Sequence, residues 1–161
     1  MNLTLTVNGR QVSAEIEDRT SLADFLRSPD QGCTSVHLGC EHGVCGACTV
    51  IIDGRIQRSC IALAAACGGS QVVTLEGLGD DEIAGELKES FRRNHGLQCG
   101  FCTPAMIITA REIIALDPGL DEEALRLGMS GNLCRCTGFA GIVKAIMEVA
   151  DRRRAGSEIS G

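Results

Sequence analysis

Ten cysteines in a chain of 161 residues limit what this sequence can fold into more than any other feature. They occupy positions 33, 40, 45, 48, 60, 67, 99, 102, 134 and 136. At about 6% of the chain, they fall short of the roughly 8–10% that is typical of short disulfide scaffolds. The N-terminal segment MNLTLTVNGR lacks a basic flank followed by an apolar run, so no secretory signal is predicted. We therefore expect a cytoplasmic protein whose reduced thiols serve mainly as metal ligands.

Composition argues against two broad classes of function. Hydrophobic residues make up 44% and charged residues 22%, which is the mix of a soluble globular protein rather than a disordered one. The chain has four Phe and no Trp or Tyr to stack on nucleobases, and its formal charge of -6 repels a phosphate backbone. No apolar stretch approaches the ~18 residues of a membrane span. We expect neither nucleic-acid binding nor a membrane span.

Two hairpins are predicted in the first half of the chain. Apolar and polar residues alternate over 3–7 and 12–16, on either side of an Asn-Gly pair at 8–9. Asn-Gly favours the positive φ angles of a tight hairpin turn. An Asp-Gly pair at 53–54 predicts a second hairpin in the same way.

Shorter elements complete this half. Ser21, with Asp24 three residues later, predicts the start of a helix. An apolar run predicts a short helix over 59–66, and a β-branched run predicts a closing strand over 72–75.

Beyond residue 78 the hydrophobic period becomes helical. Thr103 followed by proline predicts a capped helix start. The four predicted helices run from Ile83 to near Gly96, over 105–116, from Asp121 to Leu127 and over 142–150.

Strands followed by helices indicate an α+β protein with two small domains. We place the first domain at 1–78 and the second at 79–155, followed by a polar tail at 156–161.

Three cysteines in the first domain have the C-x4-C-x2-C spacing of plant-type ferredoxins, and a fourth follows. The candidate ligands of this first [2Fe–2S] cluster are Cys40, Cys45, Cys48 and Cys60. Glycines stand at 39, 43 and 46, where a missing Cβ lets the backbone curl around a cluster with positive φ. Amide donors aimed at the sulfur atoms stabilise the negative charge of such a cluster.

The second domain holds another four thiols, as a C-x2-C pair and a C-x-C pair. The candidate ligands of this second cluster are Cys99, Cys102, Cys134 and Cys136. Each pair precedes a predicted helix, whose N-terminus would direct partial positive charge at an anionic cluster. Zinc ribbons and redox dithiols share the C-x2-C half, whereas C-x-C is closer than the usual spacing of zinc ligands.

Three assignments of the eight thiols stay open at this point. We favour two [2Fe–2S] clusters, but two zinc sites, or one cluster with one zinc site, also satisfy the spacing. Cys33 and Cys67 fall outside both tetrads, and we expect them to be small buried hydrophobes.

Four motifs together resemble a known family. GCEHGVCGAC (39–48), SC (59–60), QCGFCTP (98–104) and GNLCRCTG (131–138) resemble the small iron–sulfur subunit of the molybdenum hydroxylases. That family includes xanthine dehydrogenase, aldehyde oxidoreductases and aerobic carbon monoxide dehydrogenase. The resemblance extends from Leu3 to about Ala150.

The resemblance implies an N-terminal β-grasp, plant-ferredoxin-like domain and a C-terminal four-helix-bundle domain, each with one [2Fe–2S] cluster. It implies a chain without substrate chemistry of its own, which passes single electrons from a large molybdopterin subunit to an acceptor. The pterin is the cytosine dinucleotide form in bacterial members, and the acceptor is usually FAD on a medium subunit. We expect a dimer of heterotrimers. The alternatives are a free-standing two-cluster ferredoxin and a structural zinc-binding scaffold.

By position, Gln98 and Cys136 match the residues that approach the pterin in this family. The chain departs from the family pattern at three places. Ala105 stands where glycine usually follows CTP, Phe139 replaces a frequent tyrosine, and His37 occupies a position often held by lysine. None of these departures removes a thiol ligand, so they affect the expected contacts with partners rather than the clusters.

Overall fold

The computed structural model describes residues 1–159, and the side chains of residues 1–156. A mixed five-stranded sheet occupies the first half of the chain. Its strands are β1 (Asn2–Val7), β2 (Arg10–Glu15), β3 (Thr49–Ile52), β4 (Arg55–Arg58) and β5 (Gln71–Val73), in the spatial order β2-β1-β5-β3-β4. β1 pairs in parallel with β5, and the other neighbours are antiparallel.

Both predicted hairpins are confirmed. The β1–β2 turn places Asn8 at φ 50° and Gly9 at φ 79°, and the β3–β4 turn places Asp53 at φ 48° and Gly54 at φ 77°. These are the two successive left-handed residues that a two-residue hairpin turn requires.

One short helix, α1 (Leu22–Arg27), packs on the sheet. Its N-cap is Ser21, whose hydroxyl accepts a hydrogen bond from the amide of Asp24 at 3.0 Å, as predicted. The predicted helix over 59–66 is wrong, because the helix is a 3-10 turn at Ala64–Cys67. The carbonyls of the preceding residues are already engaged: those of Ser59 and Ala62 accept from the first amides of α1.

The predicted strand over 72–75 ends earlier, at Val73. The amide of Thr74 donates to the side-chain oxygen of Asn8 at 2.8 Å instead of to a neighbouring strand. A second 3-10 turn follows at Leu75–Leu78.

Four helices form the second half, as the periodicity predicts. They are α2 (Glu82–Arg93), α3 (Thr103–Leu116), α4 (Glu122–Gly128) and α5 (Ala140–Ile159). The predicted polar tail at 156–161 is wrong for residues 156–159, because α5 continues through them, and residues 160–161 lie outside the described part. All five strands lie in the first half of the chain and α2 to α5 lie in the second, and the mixed α+β class is confirmed.

Side-chain caps begin two of these four helices, and the start at Asp121 is as predicted. Asp81 and Asp121 cap α2 and α4 through their side chains, each accepting an amide hydrogen bond at 2.8 Å. Thr103, predicted as a cap, is instead the first residue of α3, and Cys102 occupies the N-cap position. The Thr103 hydroxyl is buried without a hydrogen-bond partner within the described side chains.

Strand β3 joins the two halves because it buries both of its faces. Val50 and Ile52 belong to the core of the sheet and α1, whereas Ile51 points the other way into the core of the helices. Helix α3 packs against this strand. Cys48 directly precedes β3, so the docking of the helices also fixes the position of the first cysteine loop.

Within residues 1–159, no helix combines the length and the apolar character that crossing a membrane requires.

Candidate metal centres

The first cysteine loop curls so that its amides point inward. Glu41, Gly43 and Gly46 have φ angles of 56°, 82° and 76°, which turn the chain around the thiols. The amide of Cys45 donates to the sulfur of Cys40 at 3.3 Å. Donation from the Cys45 and His42 amides lowers the pKa of the Cys40 thiol to about 6, so this thiol ionises readily.

The other two thiols of this tetrad lie against each other. Cys48 is buried, at 2% exposure, and Cys60 is half-buried after β4. Burial raises the pKa of Cys60 to about 11, and its contact with the Cys48 thiol adds to the rise. Such crowded thiols become thiolates together only when a cation lies among them, because desolvated like charges repel.

The second tetrad shows the same crowding. The sulfur atoms of Cys99 and Cys136 are 3.5 Å apart. Burial raises the pKa of Cys102 to about 12, and the neighbouring Cys134 thiol contributes to the rise. Cys134 differs: burial opposes its ionisation, but donation from Thr137 lowers its pKa overall. The Thr137 hydroxyl reaches the Cys134 sulfur at 3.2 Å.

The donor chemistry of both tetrads fits a [2Fe–2S] cluster. Each brings together cysteines only, from two segments of the chain, and left-handed residues beside these cysteines turn the backbone around the sulfur atoms. Among residues 1–156, no three His, Cys, Asp or Glu side chains are arranged to hold a metal ion. A [2Fe–2S] cluster distributes its four thiolates around two irons, so its ligands stand farther apart than those of a mononuclear site.

One cavity of about 540 Å³ connects the two tetrads. Its wall contains two thiols of the first tetrad and all four of the second, namely Cys40, Cys45, Cys99, Cys102, Cys134 and Cys136. Phe101 and Leu133 form part of the same wall. The two candidate centres are therefore neighbours.

A buried polar network fastens the loops to each other. The Asn132 side chain, 2% exposed, donates to the Gly46 carbonyl at 3.2 Å and accepts from the Thr109 hydroxyl at 3.1 Å. Arg58 donates to the Gly131 carbonyl at 2.6 Å and to the Thr49 hydroxyl. Sequence reasoning missed this network. The only signal was the position of Asn132 inside the second cysteine motif.

The predicted pterin-contact residues are exposed, and the two cysteines outside the tetrads are buried. Gln98 is exposed beside Cys99, and Cys136 is exposed on the second loop. Cys33 and Cys67 are buried in the core of the sheet domain, as predicted.

Comparison with known proteins agrees with this chemistry in both halves. Residues 5–75 match the family model of the 2Fe-2S iron-sulfur cluster binding domain, and residues 74–147 match that of the [2Fe-2S] binding domain.

Several curated proteins and a solved structure are similar to this chain over nearly its whole length. Over 151 residues the chain is 45% identical to caffeine dehydrogenase subunit gamma of Pseudomonas sp. (strain CBB1), covering 92% of this chain and 90% of the relative. It is also 45% identical over 148 residues to the nicotine 6-hydroxylase small subunit of Paenarthrobacter nicotinovorans, covering 92% and 88%. The crystal structure of quinoline 2-oxidoreductase from Pseudomonas putida 86 matches with a TM-score of 0.87 at 46% identity, covering 97% of each chain. The chain belongs to the family of small iron–sulfur, electron-transfer subunits of the molybdenum hydroxylases.

Proposed function

We propose that this chain holds two [2Fe–2S] clusters and conducts single electrons between two partner subunits. The first cluster is held by Cys40, Cys45, Cys48 and Cys60, and the second by Cys99, Cys102, Cys134 and Cys136. The observation that carries the proposal is that cysteines of both tetrads line one shared cavity, which makes the two cluster sites neighbours. Each cluster, when bound, takes up and releases one electron at a time.

We assign the cluster sites to two domains. Residues 1–78 form the β-grasp, ferredoxin-like domain, and residues 79–155 form the four-helix-bundle domain. In this assignment the chain contributes no catalytic residue to the substrate reaction. Its cysteines bind the clusters, its amides and hydroxyls stabilise thiolate charge, and its polar network keeps the two loops in register.

The exposed rim of the second loop is the entry side. Gln98 can both donate and accept hydrogen bonds, which suits the edge of a pterin, and it stands next to the candidate ligand Cys99. Cys136 is exposed on the same loop system. We assign Gln98 and Cys136 to contact with a molybdopterin, in its cytosine dinucleotide form, on a large subunit.

Electrons then leave from the first cluster. The acceptor in this assignment is FAD on a medium subunit, and the assembly is a cytoplasmic dimer of heterotrimers. The names of the relatives mention caffeine, nicotine and quinoline. We therefore assign a nitrogen heterocycle as the substrate class of the large subunit.

Composition of the purified native complex tests the proposal. We expect about four iron atoms and about four acid-labile sulfides per chain, with two distinct EPR signals on reduction. We also expect a large and a medium polypeptide to co-purify. A colourless, zinc-containing chain would establish a structural scaffold instead. An iron-containing monomer without stable partners would establish a free-standing ferredoxin.

The pterin contact has its own test. Gln98→Ala should leave both EPR signals intact and slow reduction of the clusters by substrate. Unchanged reduction kinetics in the assembled enzyme would contradict a role for Gln98 at the pterin.

A further inference from the structure

His37 joins the two cysteine loops through two simultaneous contacts with Phe101. The rings stack with centroids 4.6 Å apart and an angle of 13° between their planes. The Nδ1 of His37 also lies 2.6 Å from the carbonyl oxygen of Phe101. A carbonyl only accepts, so Nδ1 carries the proton and donates it. A stack and a hydrogen bond to the same residue fix both its position and its orientation.

The two residues belong to different candidate centres. His37 stands three residues before Cys40, on the approach to the first loop, and Phe101 stands between Cys99 and Cys102 in the second. In the sequence they are 64 residues apart. The contact therefore bridges the two halves of the molecule, and it turns the ring at position 37 toward the chain's own second loop.

The ring of Phe101 reaches the first loop from its place in the second. A Cβ built on Gly39 would lie 3.4 Å from this ring and 3.2 Å from the Cys45 sulfur. Phe101 as a residue is 45% exposed and lines the cavity between the tetrads. Phe101 is therefore partly exposed to water and also contacts the space that the cysteine loops enclose. In this position the apolar Phe101 side chain separates the cavity between the tetrads from water.

We propose that His37 is a positioning residue that holds the Phe101 ring as an apolar cover over the first cluster and the space between the clusters. This inference rests on the proposed binding of [2Fe–2S] clusters. Solvent exposure is one of the determinants of cluster potential. Water stabilises the reduced form more than the oxidised form, since the reduced cluster carries more negative charge. Removing the cover therefore raises the reduction potential of the first cluster.

Redox titration of the assembled enzyme, followed by EPR, tests this assignment. His37→Ala and Phe101→Ala should each raise the potential of the first cluster, because both leave it open to water. We expect about a tenfold change in its reduction equilibrium, which is about 59 mV for one electron. The potential of the second cluster should shift in the same direction in Phe101→Ala, because this residue stands between the candidate ligands Cys99 and Cys102 and lines the same cavity.

Two partial variants separate the contacts. His37→Phe keeps an aromatic ring to stack but removes the donor, and His37→Asn keeps a donor but removes the ring. Each should shift the first cluster by an intermediate amount. His95→Asn is the matched control, because His95 is an exposed histidine at φ 52°, a conformation that asparagine tolerates. It should leave both potentials unchanged.

A second measurement reports water directly. In D2O, deuterium coupling to the reduced first cluster should increase in Phe101→Ala and His37→Ala relative to the wild type. Full iron and sulfide content with unchanged potentials and unchanged deuterium coupling in both alanine variants would overturn the cover, while leaving the two-cluster function intact. If His37→Ala fails to assemble, Phe101→Ala and His37→Asn decide the question by the same criteria. Wild-type enzyme without iron would instead overturn the proposed function itself.

Discussion

The backbone amide of Leu133 donates a hydrogen bond of 2.9 Å to the carbonyl oxygen of Cys45. Cys45 is a candidate ligand of the first cluster, and Leu133 directly precedes Cys134, a candidate ligand of the second. One hydrogen bond thus links the two cysteine loops. Its geometry depends on how the second domain docks onto the first, to which the packing of α3 on β3 and the buried network around Asn132 both contribute.

Replacement of Asn132 should weaken the docking. Asn132→Asp keeps the acceptor oxygen Oδ1 but loses the amide that donates to the Gly46 carbonyl. The Gly46 carbonyl keeps the Thr49 amide and hydroxyl as donors, so the destabilisation comes from desolvating a carboxylate at a position that is 2% exposed. We expect a lower urea midpoint together with slower electron equilibration between the clusters after partial reduction. Exposed Asn2 provides the control, and Asn2→Asp should change neither measurement. Equal stability of the wild type and Asn132→Asp would contradict the network.

Gly46 should not tolerate a side chain. A Cβ at this position would lie 2.4 Å from the Gly131 carbonyl oxygen, and its φ is 76°. Gly54 is the matched control, because it has nearly the same φ of 77° but nothing within 4 Å of its Cβ.

Both alanine variants pay the left-handed backbone cost of about 1–2 kcal/mol. Only Gly46→Ala should also separate the loops and reduce the iron content of the purified chain. Equal iron content in the two variants would show that the close approach to Gly131 is unimportant.

The hydroxyl of Thr137 should raise the potential of the second cluster. It donates to the Cys134 sulfur at 3.2 Å, and donation to a thiolate favours the more negative, reduced state. Thr137→Val should lower the potential of the second cluster by an amount on the order of tens of millivolts. Thr137→Ser keeps the hydroxyl and should restore the wild-type value. A Val variant with unchanged potentials would rule out this hydrogen bond as a determinant.

Acid should remove one stabilising contribution from the helical domain. Hydrogen bonds from Asn94 and then from Arg93 lower the pKa of Glu148 from 4.5 to about 2. Because the folded-state pKa is depressed, the contribution is complete above about pH 4.5 and is lost as the pH falls toward 2. Unfolding of the full chain at several pH values should show a steeper decline for the wild type than for Glu148→Gln. Glu89→Gln, at an exposed pair with Arg92, is the control and should follow the wild type. Parallel curves for the wild type and Glu148→Gln would contradict this linkage.

Local chemistry explains which features the sequence predicts. The turns at 8–9 and 53–54 follow from residues that tolerate positive φ, and the start of α4 at Asp121 follows from a side chain that bonds its own backbone. The segment 59–66 is different. Its apolar composition favours a helix, but its carbonyls serve the N-terminus of α1, which is distant in sequence.

In the candidate site, too, local sequence patterns predict some features and not others. Cysteine spacing marks the ligands because a cluster needs four thiolates within reach of short loops. The contacts between the loops, such as that of His37 with Phe101, depend on the docking of two domains. No local pattern encodes that docking. His37 also stands where the family often has lysine, so the resemblance gives no guide to its contact.

The central claim is that two independent tetrads hold two clusters, and EPR of single-cysteine variants in the assembled, reduced enzyme tests it most directly. Cys134→Ser should eliminate one of the two signals and leave the other, while Cys33→Ala, a buried cysteine outside both tetrads, should leave both. Loss of both signals in Cys134→Ser, or two intact signals in that variant, would contradict the account.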